Sequence, residues 1–344
     1  MKKVDMAQIA ARAGVSIATV SRALSGSGRV RAETRRRILA IAEELNYRPN
    51  SIARGLSRRR TDTLGVILPE LVDEFFMDLV QGIEEEAYRA NRYILLSSSH
   101  RQRDFLRTSL EFMMSGRVDG VILMASQRMN DIEEIVSRSR CPIVLLNAGS
   151  HVACTASVNV DNYQGAFAVT EHLVQHGYRK IGVILGPDDN YDSAERFRGF
   201  RAALDAHGIP LPESFVVAGD FTKTSGFYGF NRLMSQSQRP EAIFAENDMM
   251  ALGAYEAASR LGLRIPQDVA IVGFDDIRLS RYIRPTLTTV HVPIEELGRR
   301  AVRYLLQMID GEADPHQPYR LELTTGLIIR ESCGCSPSAP YGVV

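Results

Sequence analysis

Polar and aromatic side chains follow most of the short apolar segments of this 344-residue chain, at the points where buried strands would end. They combine carboxylates, amides, one hydroxyl, one guanidinium and phenyl rings, and they are Phe75, Phe76, Ser126, Asn147, Asp192, Arg196, Phe221, Asn247 and Asp275. Carboxylates and amides hydrogen-bond to vicinal hydroxyl groups, and aromatic rings pack on the apolar faces of a sugar. The set therefore predicts a binding site for a polyhydroxylated small molecule.

Single members of this set have a simpler structural interpretation. An Asn or Asp directly after a strand is most often the N-cap of the next helix. Phe75 and Phe76 could belong to a hydrophobic core, and Asp248, next to Asn247, is equally well explained as a helix cap. The occurrence of the whole set at strand ends favours the binding site.

Sequence motifs of catalysis are missing. The chain has no G-x-x-x-x-G-K-[ST], no H-E-x-x-H, no G-x-G-x-x-G after a predicted strand and no G-x-S-x-G nucleophile elbow. The carboxylates could act as general acids or bases, but no pattern marks one of them for that task. We expect no enzymatic activity and no cofactor.

The four cysteines are too few to form a disulfide framework in a chain of this length, and they are Cys141, Cys154, Cys333 and Cys335. The spacing of Cys333 and Cys335 is tighter than the usual Cys-x-x-Cys, and no paired histidine lies near it, so we expect no metal site. The N-terminal segment lacks the apolar stretch of a secretory signal, and no apolar run could span a membrane. A reduced, cytoplasmic protein is expected.

Two series of apolar segments would position the polar set. The first series covers 64–68, 93–97, 119–124 and 142–147, and the second covers 180–186, 241–245 and 269–274. Amphipathic stretches of helical length separate them. This alternation is typical of parallel sheets covered on both faces, and it predicts two similar α/β lobes. Ligands of such sheets bind beyond the carboxyl ends of the strands.

Residues 5–24 predict two short helices around a tight turn. Gly14 can end the first helix, and Ser16 can cap the second. On a helical wheel the second helix has an inner side of Val20, Ala23 and Leu24 and an outer side of Ala18, Ser21 and Arg22, with Ile17 at the margin. An ordinary pair of amphipathic helices would look similar, but a third helix over 32–46 could complete the small core of a helix-turn-helix domain.

The charge distribution favours DNA binding. Residues 1–60 contain 14 Lys and Arg against 4 Asp and Glu, whereas the rest contains 27 against 37, so a neutral chain has a basic N-terminal part. Such a part suits DNA phosphates, although its arginines at 58–60 could also be a solvated linker. Pro49 ends the third helix, and the segment 52–56 is too short to be helical alone, so it should order only against a partner.

These motifs together resemble the LacI/GalR family of transcriptional regulators, from Val4 to about Cys333. The similarity is clearest in IAARAGVSIATVSRAL, VRAETRRRILAIAEELNYRPN, ARGL, ERFRGFRAAL, FAENDMMALGAYEAASRLGLRIPQDVAIVGFDDI and PTLTTVHVPIEELGRRA. The resemblance implies an N-terminal all-α helix-turn-helix head and an α/β two-lobed periplasmic-binding-protein-like core with parallel sheets. It also implies a homodimeric repressor that binds a palindromic double-stranded DNA operator and responds to a small-molecule effector.

The resemblance also divides the chain. It implies a head at 1–48, a hinge at 49–60, an effector-binding and dimerisation core at 61–333 and a tail at 334–344. The first lobe of the core would comprise about 61–160 and 293–320, and the second about 161–292 and 321–333. The tail has no leucine heptads, so a dimer is expected and a four-helix tetramer is not.

Residue by residue, the family pattern places base-reading positions at Ile17, Ala18 and Arg22. Positions that seat the helix on the DNA backbone fall on Ser16, Thr19 and Ser21. Asn50 and Leu56 complete the expected DNA contacts, and Leu56 matches the leucine that enters the minor groove at the operator centre. In the cleft, every residue of the polar and aromatic set except Ser126 matches a family ligand position.

The chain departs from the family pattern at three points. Arg31 replaces the usual Ser cap of the third helix, and the pair at 17–18 offers bases only apolar contact, which leaves Arg22 as the main hydrogen-bonding reader. Purine-sensing relatives have Arg and Thr where this chain has Asn190 and Asp192, which favours a sugar or sugar derivative over a purine.

Two other classes of protein fit the sequence less well. The basic head contradicts a sugar-binding protein without regulation, and an architectural DNA-binding protein would not need a two-lobed cleft.

Overall fold

The computed structural model describes residues 5–25, 30–47, 60–100, 102–124, 136, 139, 141–148, 156–315 and 317–335. The expected contacts of Asn50, Leu56 and Ser126, and the hinge at 49–59, lie outside these residues. The chain forms two compact units, Met1–Thr61 and Asp62–Val344.

The described residues of the N-terminal unit form three helices: α1 (Met6–Ala13), α2 (Ile17–Ser25) and α3 (Ala32–Glu44). Asp5 and Gln8 form a reciprocal capping box at the start of α1, and Gly14 ends α1 in the left-handed conformation. One side of each helix contributes to a shared core of Ile9, Ala10, Ala13, Val20, Ala23, Ile38 and Ala42. The predicted helix-turn-helix and its third helix are therefore confirmed.

The larger unit contains two sheets, and the first has six parallel strands. They are β1 (Thr63–Leu68), β2 (Tyr93–Ser98), β3 (Gly120–Met124), β4 (Ile143–Leu146), β5 (Ala156–Val160) and β11 (Tyr319–Leu323). Their spatial order is β11-β5-β4-β3-β1-β2, so the chain reverses its direction across the sheet between β1 and β3. Such a switch point is where open α/β sheets bind ligands.

The second sheet repeats this topology. Its strands are β6 (Ile181–Ile184), β7 (Val216–Val217), β8 (Ala242–Ala245), β9 (Ala270–Asp275), β10 (Thr288–His291) and β12 (Gly326–Ile328). The order is β12-β10-β9-β8-β6-β7, with the switch between β6 and β8. β12 runs antiparallel to β10, and the other pairs are parallel.

Seven longer helices cover the sheets within the described part of the larger unit. They are α4 (Glu74–Arg89), α5 (Arg103–Met114), α6 (Asn162–Gln175), α7 (Tyr191–Ala206), α8 (Lys223–Met234), α9 (Asp248–Arg260) and α10 (Ile294–Asp310). On the first sheet, α4 and α10 pack together against one face and α5 covers the other. On the second sheet, α6 with α7 covers one face and α8 with α9 covers the other. The predicted architecture of parallel sheets with helices on both faces is confirmed.

Each predicted apolar segment contains a strand, but five strands were not predicted. These are β5, β7, β10, β11 and β12, which are interrupted by polar residues or only two or three residues long. β11 alternates half-buried and exposed residues because it is an edge strand, and it pairs with β5 as far as Leu323. The first sheet therefore continues to Leu323. This is three residues beyond position 320, where the resemblance implies that the chain leaves the first lobe for the last time.

None of the helices within the described residues is both long and apolar enough to cross a membrane.

Candidate functional site

A cleft of about 620 Å³, counted with its open mouth, lies at the carboxyl ends of strands from both sheets. Its lining residues are Pro69, Glu70, Asp73, Phe75, Phe76, Met124, Pro187, Asn190, Asp192, Arg196, Phe221, Asn247 and Asp275. They follow or end β1, β3, β6, β7, β8 and β9, so both lobes of the larger unit contribute. This is the edge at which α/β sheets bind small molecules.

The cleft brings together most of the side chains that the sequence singled out. Seven of the nine line it, namely Phe75, Phe76, Asp192, Arg196, Phe221, Asn247 and Asp275. Asn147 does not line the cleft but lies directly behind Asp192, with Nδ2 donating to Asp192 Oδ2 at 3.1 Å. Ser126 lies outside the described residues.

Arg196, on α7, is buried in the wall of the cleft with its guanidinium held on every side. Nε donates to Asn162 Oδ1 at 2.8 Å, Nη1 donates to the carbonyl of Glu246, and Nη2 lies 3.3 Å from Asp275 Oδ1. The guanidinium also lies over the Phe274 ring, with Cζ 3.8 Å from the ring centroid. These contacts fix the position of Arg196, which is the one positively charged side chain among the described residues of the cleft lining.

Asp192 connects the two lobes through buried amides. Its Oδ1 accepts from Asn162 Nδ2 at 2.8 Å, and its Oδ2 accepts from Asn147, which follows β4 in the first lobe. Burial raises the pKa of Asp192 to about 6, although the charge of Arg196 and the two amide hydrogen bonds oppose that shift. A change in the angle between the lobes would therefore disturb this network.

Two further buried carboxylates lie beside Arg196. Burial raises the pKa of Asp275 to about 7 and that of Glu246 to about 7, against the opposing charge of Arg196. Glu246 accepts from Gly186 N at 2.7 Å and from Ser193 Oγ at 2.6 Å. Asp275 Oδ1 is buried and has no hydrogen-bond partner within the described residues, and its contact with Arg196 Nη2 at 3.3 Å is an ion pair.

Three residues of the site have backbones in the left-handed region. The φ angles are 50° at Asn147, 69° at Phe221 and 110° at Asp275. Non-glycine residues in this region carry local strain, which is concentrated at functional sites in proteins. A Cβ atom at Gly186 would lie 2.2 Å from the Phe221 ring, so that glycine lets the ring occupy its place in the cleft.

Several polar residues of the lining cap helices as well. Asp73 accepts from Phe76 N, Asn190 accepts from Ser193 N, and Asn247 accepts from Met250 N, each at a helix start. Asn247 also donates to the Phe221 carbonyl at 3.0 Å and so supports the loop that carries the ring. The cap interpretation is therefore correct for these residues, and it is compatible with a place in the cleft wall.

The two acidic residues next to Asn247 and Asp275 in sequence have structural roles. Asp248 accepts from Thr289 Oγ1 at 2.6 Å and from Ile277 N at 3.0 Å, which ties α9 to the second sheet. Asp276 pairs with Arg281, Arg330 and His291. Burial alone would raise the pKa of Asp276, but hydrogen bonds from His291 and Arg330 and the nearby positive charges lower it to about 2.

The two phenylalanines after β1 differ in their surroundings. Their rings meet edge to face with centroids 5.3 Å apart. Phe76 is buried and belongs to the hydrophobic core, whereas Phe75 is only partly buried. Phe75 and Phe221 therefore offer the more accessible aromatic surfaces to a ligand.

The sequence did not single out two residues that organise the site, Asn162 and Glu246. Asn162 bonds both Arg196 and Asp192, and it follows β5, a strand that was not predicted. Glu246 precedes Asn247 at the end of β8, so its position at a strand end was an available signal. Both are wholly or almost wholly buried polar residues, which the sequence alone cannot distinguish from exposed ones.

Helix α2 of the N-terminal unit presents the expected DNA-contacting side chains to solvent. Ser16 accepts from Thr19 N at 3.2 Å, which confirms it as the cap of α2. Thr19 is partly exposed, and the other members of the exposed side are Ser16, Ile17, Ala18, Ser21 and Arg22. The side chain of Arg31 makes no capping hydrogen bond to α3, in line with the departure noted from the sequence.

The expectation that no paired histidine lies near Cys333 and Cys335 is wrong. His172 and His176, on the last turn of α6 and directly after it, approach both sulfur atoms. The pairs lie about 160 positions apart along the chain, so only the fold brings them together.

Comparison with known proteins agrees with this organisation. Residues 5–50 match the model of bacterial regulatory proteins of the lacI family, and residues 170–333 match a periplasmic binding protein-like domain. The catabolite control protein A of Priestia megaterium is 35% identical over 324 residues, covering 93% of this chain and 98% of the relative. The transcriptional repressor PurR of Escherichia coli O1:K1 / APEC is 33% identical over 335 residues, covering 97% and 98%.

Solved structures give the same result. The lac repressor dimer bound to operator and the anti-inducer ONPF has a TM-score of 0.88 and 28% identity, covering 96% of this chain and 99% of that one. The regulator CelR in complex with cellobiose has a TM-score of 0.74 and 32% identity, covering 96% and 99%. A ribose-bound LacI-family regulator from Enterococcus faecium has a TM-score of 0.70 and 28% identity, covering 78% and 98%.

A helix-turn-helix unit joined in one chain to a two-lobed core with a cleft defines a ligand-responsive DNA-binding regulator. This chain belongs to the LacI family of bacterial transcriptional regulators, and it is a repressor-type DNA-binding protein and not an enzyme.

Proposed function

We propose that this regulator binds a palindromic operator as a homodimer and that a neutral sugar or sugar derivative in the cleft sets its affinity for the operator. The members of the outer side of α2 would contact the DNA, with Arg22 as the main base reader. Asn50 and Leu56 of the hinge would add further contacts, with Leu56 in the minor groove. Since operator DNA is the partner, we expect the protein to act in the cytoplasm.

The observation that carries the choice of ligand is the excess of buried acceptors over donors around the cleft. Within the described part of the chain, Asp192, Asp275 and Glu246 stand against one guanidinium, that of Arg196, whose three nitrogens each already contact the protein. Ligand hydroxyl groups can donate to these carboxyl oxygens, whereas an anionic ligand would be repelled by each of the groups that is ionised. Sugar phosphates and carboxylated ligands are therefore disfavoured.

The aromatic surfaces support the same choice. Phe75 and Phe221 line the cleft on opposite lobes, and sugars pack their apolar C–H faces against such rings. The solved relatives with cellobiose and with ribose show that similar proteins bind sugars. Asn190 and Asp192 add polar groups in the cleft that suit hydroxyls.

A calorimetric titration tests the proposal. The wild-type protein is titrated with cellobiose, ribose, other neutral sugars, a sugar phosphate and a purine base. Binding of a neutral sugar, but not of the sugar phosphate or the purine, is expected. Asp275→Asn should weaken the sugar by roughly tenfold or more, which corresponds to about 1.4 kcal/mol.

A matched control is Asp268→Asn, which removes an exposed carboxylate that pairs with Arg264 and is not part of the cleft lining. This variant should bind the sugar as the wild type does. Tight binding of the phosphate or the purine, in place of any neutral sugar, would contradict the proposed ligand class.

A further inference from the structure

Two histidines and two cysteines form a compact cluster on the second lobe, outside the ligand cleft. They are His172, His176, Cys333 and Cys335, and their ligand-capable atoms all lie within 4.8 Å of one another. The regulatory function described above uses none of them. Nε2 of His172 lies 3.3 Å from Cys333 Sγ and 3.8 Å from Cys335 Sγ, and Nε2 of His176 lies 2.9 Å from Cys335 Sγ.

We propose that His172, His176, Cys333 and Cys335 bind one Zn²⁺ ion in tetrahedral geometry. Two thiolates and two imidazoles form a common ligand set of structural zinc. With Zn–S and Zn–N distances of about 2.3 and 2.0 Å, tetrahedral geometry places ligand atoms roughly 3.3 to 3.8 Å apart. The separations of 3.3 and 3.8 Å from His172 fall in this range, that of 2.9 Å from His176 is shorter, and none of the separations exceeds 4.8 Å, so small side-chain movements would bring the four atoms to this geometry.

The spacing of the two histidines and the turn between the two cysteines both favour the site. His172 and His176 are four positions apart, which places them on the same side of α6 and its C-terminal turn. Gly334, between the cysteines, has a φ of 95°. Residues with a side chain rarely adopt this backbone conformation, whereas glycine adopts it readily. This turn directs both sulfur atoms toward α6.

The surroundings also suit a metal site. Cys333 is fully buried and His172 nearly so, whereas His176 is exposed, which gives an ion access from solvent. Thr288 Oγ1, on β10, donates to Cys333 Sγ at 3.2 Å and would stabilise a thiolate there.

The ion would connect the segment after β12 to helix α6 within the second lobe. Cys333 and Cys335 follow β12, the edge strand of the second sheet, whereas the histidines belong to α6. Zinc would thus fasten the terminal segment to a helix whose first residue, Asn162, bonds Asp192 and Arg196 in the cleft. A structural metal of this kind contributes directly to the free energy of unfolding.

Metal analysis of the full-length protein, purified in a thiol reductant, tests the proposal. One zinc per chain is expected. Replacement by Co²⁺ should give the visible bands of tetrahedral cobalt together with thiolate-to-metal charge transfer. Removal of the ion with a chelator should lower the melting temperature, and Zn²⁺ alone should restore it.

The variants His176→Ala and Cys335→Ser remove ligands that are not fully buried, so the protein should still fold. Each should weaken Co²⁺ binding by roughly tenfold or more and abolish the effect of the chelator on melting. Cys141→Ser, which removes a cysteine from the first lobe, is the matched control and should keep the zinc and the cobalt spectrum.

Three outcomes would overturn the proposal. The first is reduced wild-type protein that contains no zinc and gives no cobalt spectrum. The second is metal binding that is undiminished in both ligand variants. The third is protein that contains copper and no zinc, or a Cys333–Cys335 cross-link that persists under the reducing conditions.

Discussion

At the scale of single residues, two buried carboxylates have pKa values shifted in opposite directions. Burial raises the pKa of Glu246 from 4.5 to about 7, so this group is more stable in the protonated form within the fold. Its contribution to stability is complete below its unfolded pKa and is lost as the pH rises through about 7. For Asp276, burial is outweighed by His291, Arg330 and Arg281, and the pKa falls to about 2. Its contribution is therefore present above the unfolded pKa and is lost as the pH falls toward 2.

Glu246→Gln and Asp276→Asn should consequently show opposite pH dependence. Relative to the wild type, the Gln variant should gain stability between about pH 5 and about pH 8, because Glu246 of the unfolded wild type is then ionised and must take up a proton, or be buried with its charge, on folding. The Asn variant should lose about 2 kcal/mol at neutral pH, and this loss should shrink in acid. Denaturant unfolding at a series of pH values measures both. If the free energy of unfolding of each variant varied with pH in parallel with that of the wild type, the assigned pKa shifts would be contradicted.

The Phe221 ring gives a second prediction at this scale. Gly186→Ala should displace the ring, since the new Cβ would lie 2.2 Å from it, and sugar affinity should fall by roughly tenfold while the protein stays folded. Gly182→Ala, four residues earlier on β6, would meet only Leu233 and the Phe215 carbonyl at 3.3 Å or more and is the matched control. Calorimetry with the sugar compares the two variants. Equal affinities would show that the ring does not contact the ligand.

At the scale of elements, α2 is positioned by its apolar side and leaves the opposite side for DNA. Val20 and Ala23 are buried in the three-helix core, whereas Arg22 is exposed. Arg22→Ala should therefore leave the melting temperature unchanged and cost about 1 to 3 kcal/mol in operator binding. It should also relax the sequence preference at one base pair of each half-site.

Fluorescence anisotropy measures the affinity and the sequence preference. The DNA is a duplex that the wild-type protein selects from a random pool, together with the single-base variants of that duplex. Arg12→Ala is a suitable control because Arg12 pairs with Glu44 on α3. An Arg22→Ala protein with full sequence preference would contradict the role of that residue.

The sequence predicted those elements that a short stretch of residues is enough to identify. Gly14 and Ser16 mark the turn between α1 and α2, and continuous apolar runs mark the central strands β1, β3, β6, β8 and β9. The edge strand β11 was missed because its alternating residues depend on the neighbour β5 for pairing.

The candidate sites follow the same rule. Most site residues at the ends of predicted strands were found, with Glu246 after β8 as the exception, whereas Asn162 was missed together with β5. The cluster of His172 with Cys333 could not be predicted, because their proximity arises from the packing of α6 against the second sheet. The residues around each pair give no indication that residues about 160 positions apart lie close together in the fold.

At the scale of the whole molecule, hydrogen bonds and ion pairs join the two lobes across the cleft. Asn147 and Asp192 join the lobes at the base of the cleft. At the rim, Arg278 donates to Asp78 on α4 at 2.7 Å, and Leu279 N donates to Glu74. A ligand that binds both lobes would favour one arrangement of these contacts over another.

Arg278→Ala should change sugar affinity only modestly, by up to about fivefold, since Arg278 is largely exposed and such pairs contribute roughly 1 kcal/mol or less. Calorimetry can compare it with Arg260→Ala, which breaks an exposed pair with Glu256 within α9 and should have no effect. A loss as large as that of Asp275→Asn would mean that the rim, and not the cleft lining, dominates binding.

The central claim is that the cleft controls operator affinity, and a linked titration tests it most directly. Operator binding by the wild type is measured by anisotropy with and without a sugar that calorimetry shows to bind, and is repeated with Asp275→Asn. The sugar should change the wild-type affinity, and operator-bound protein should bind the sugar with affinity altered by the same factor, because coupling is reciprocal. If the sugar is an inducer, Asp275→Asn should bind operator normally and lose the response, whereas with a corepressor it should never bind operator tightly. A sugar that binds the wild type without changing its operator affinity, or a response that survives unchanged in Asp275→Asn, would contradict the account.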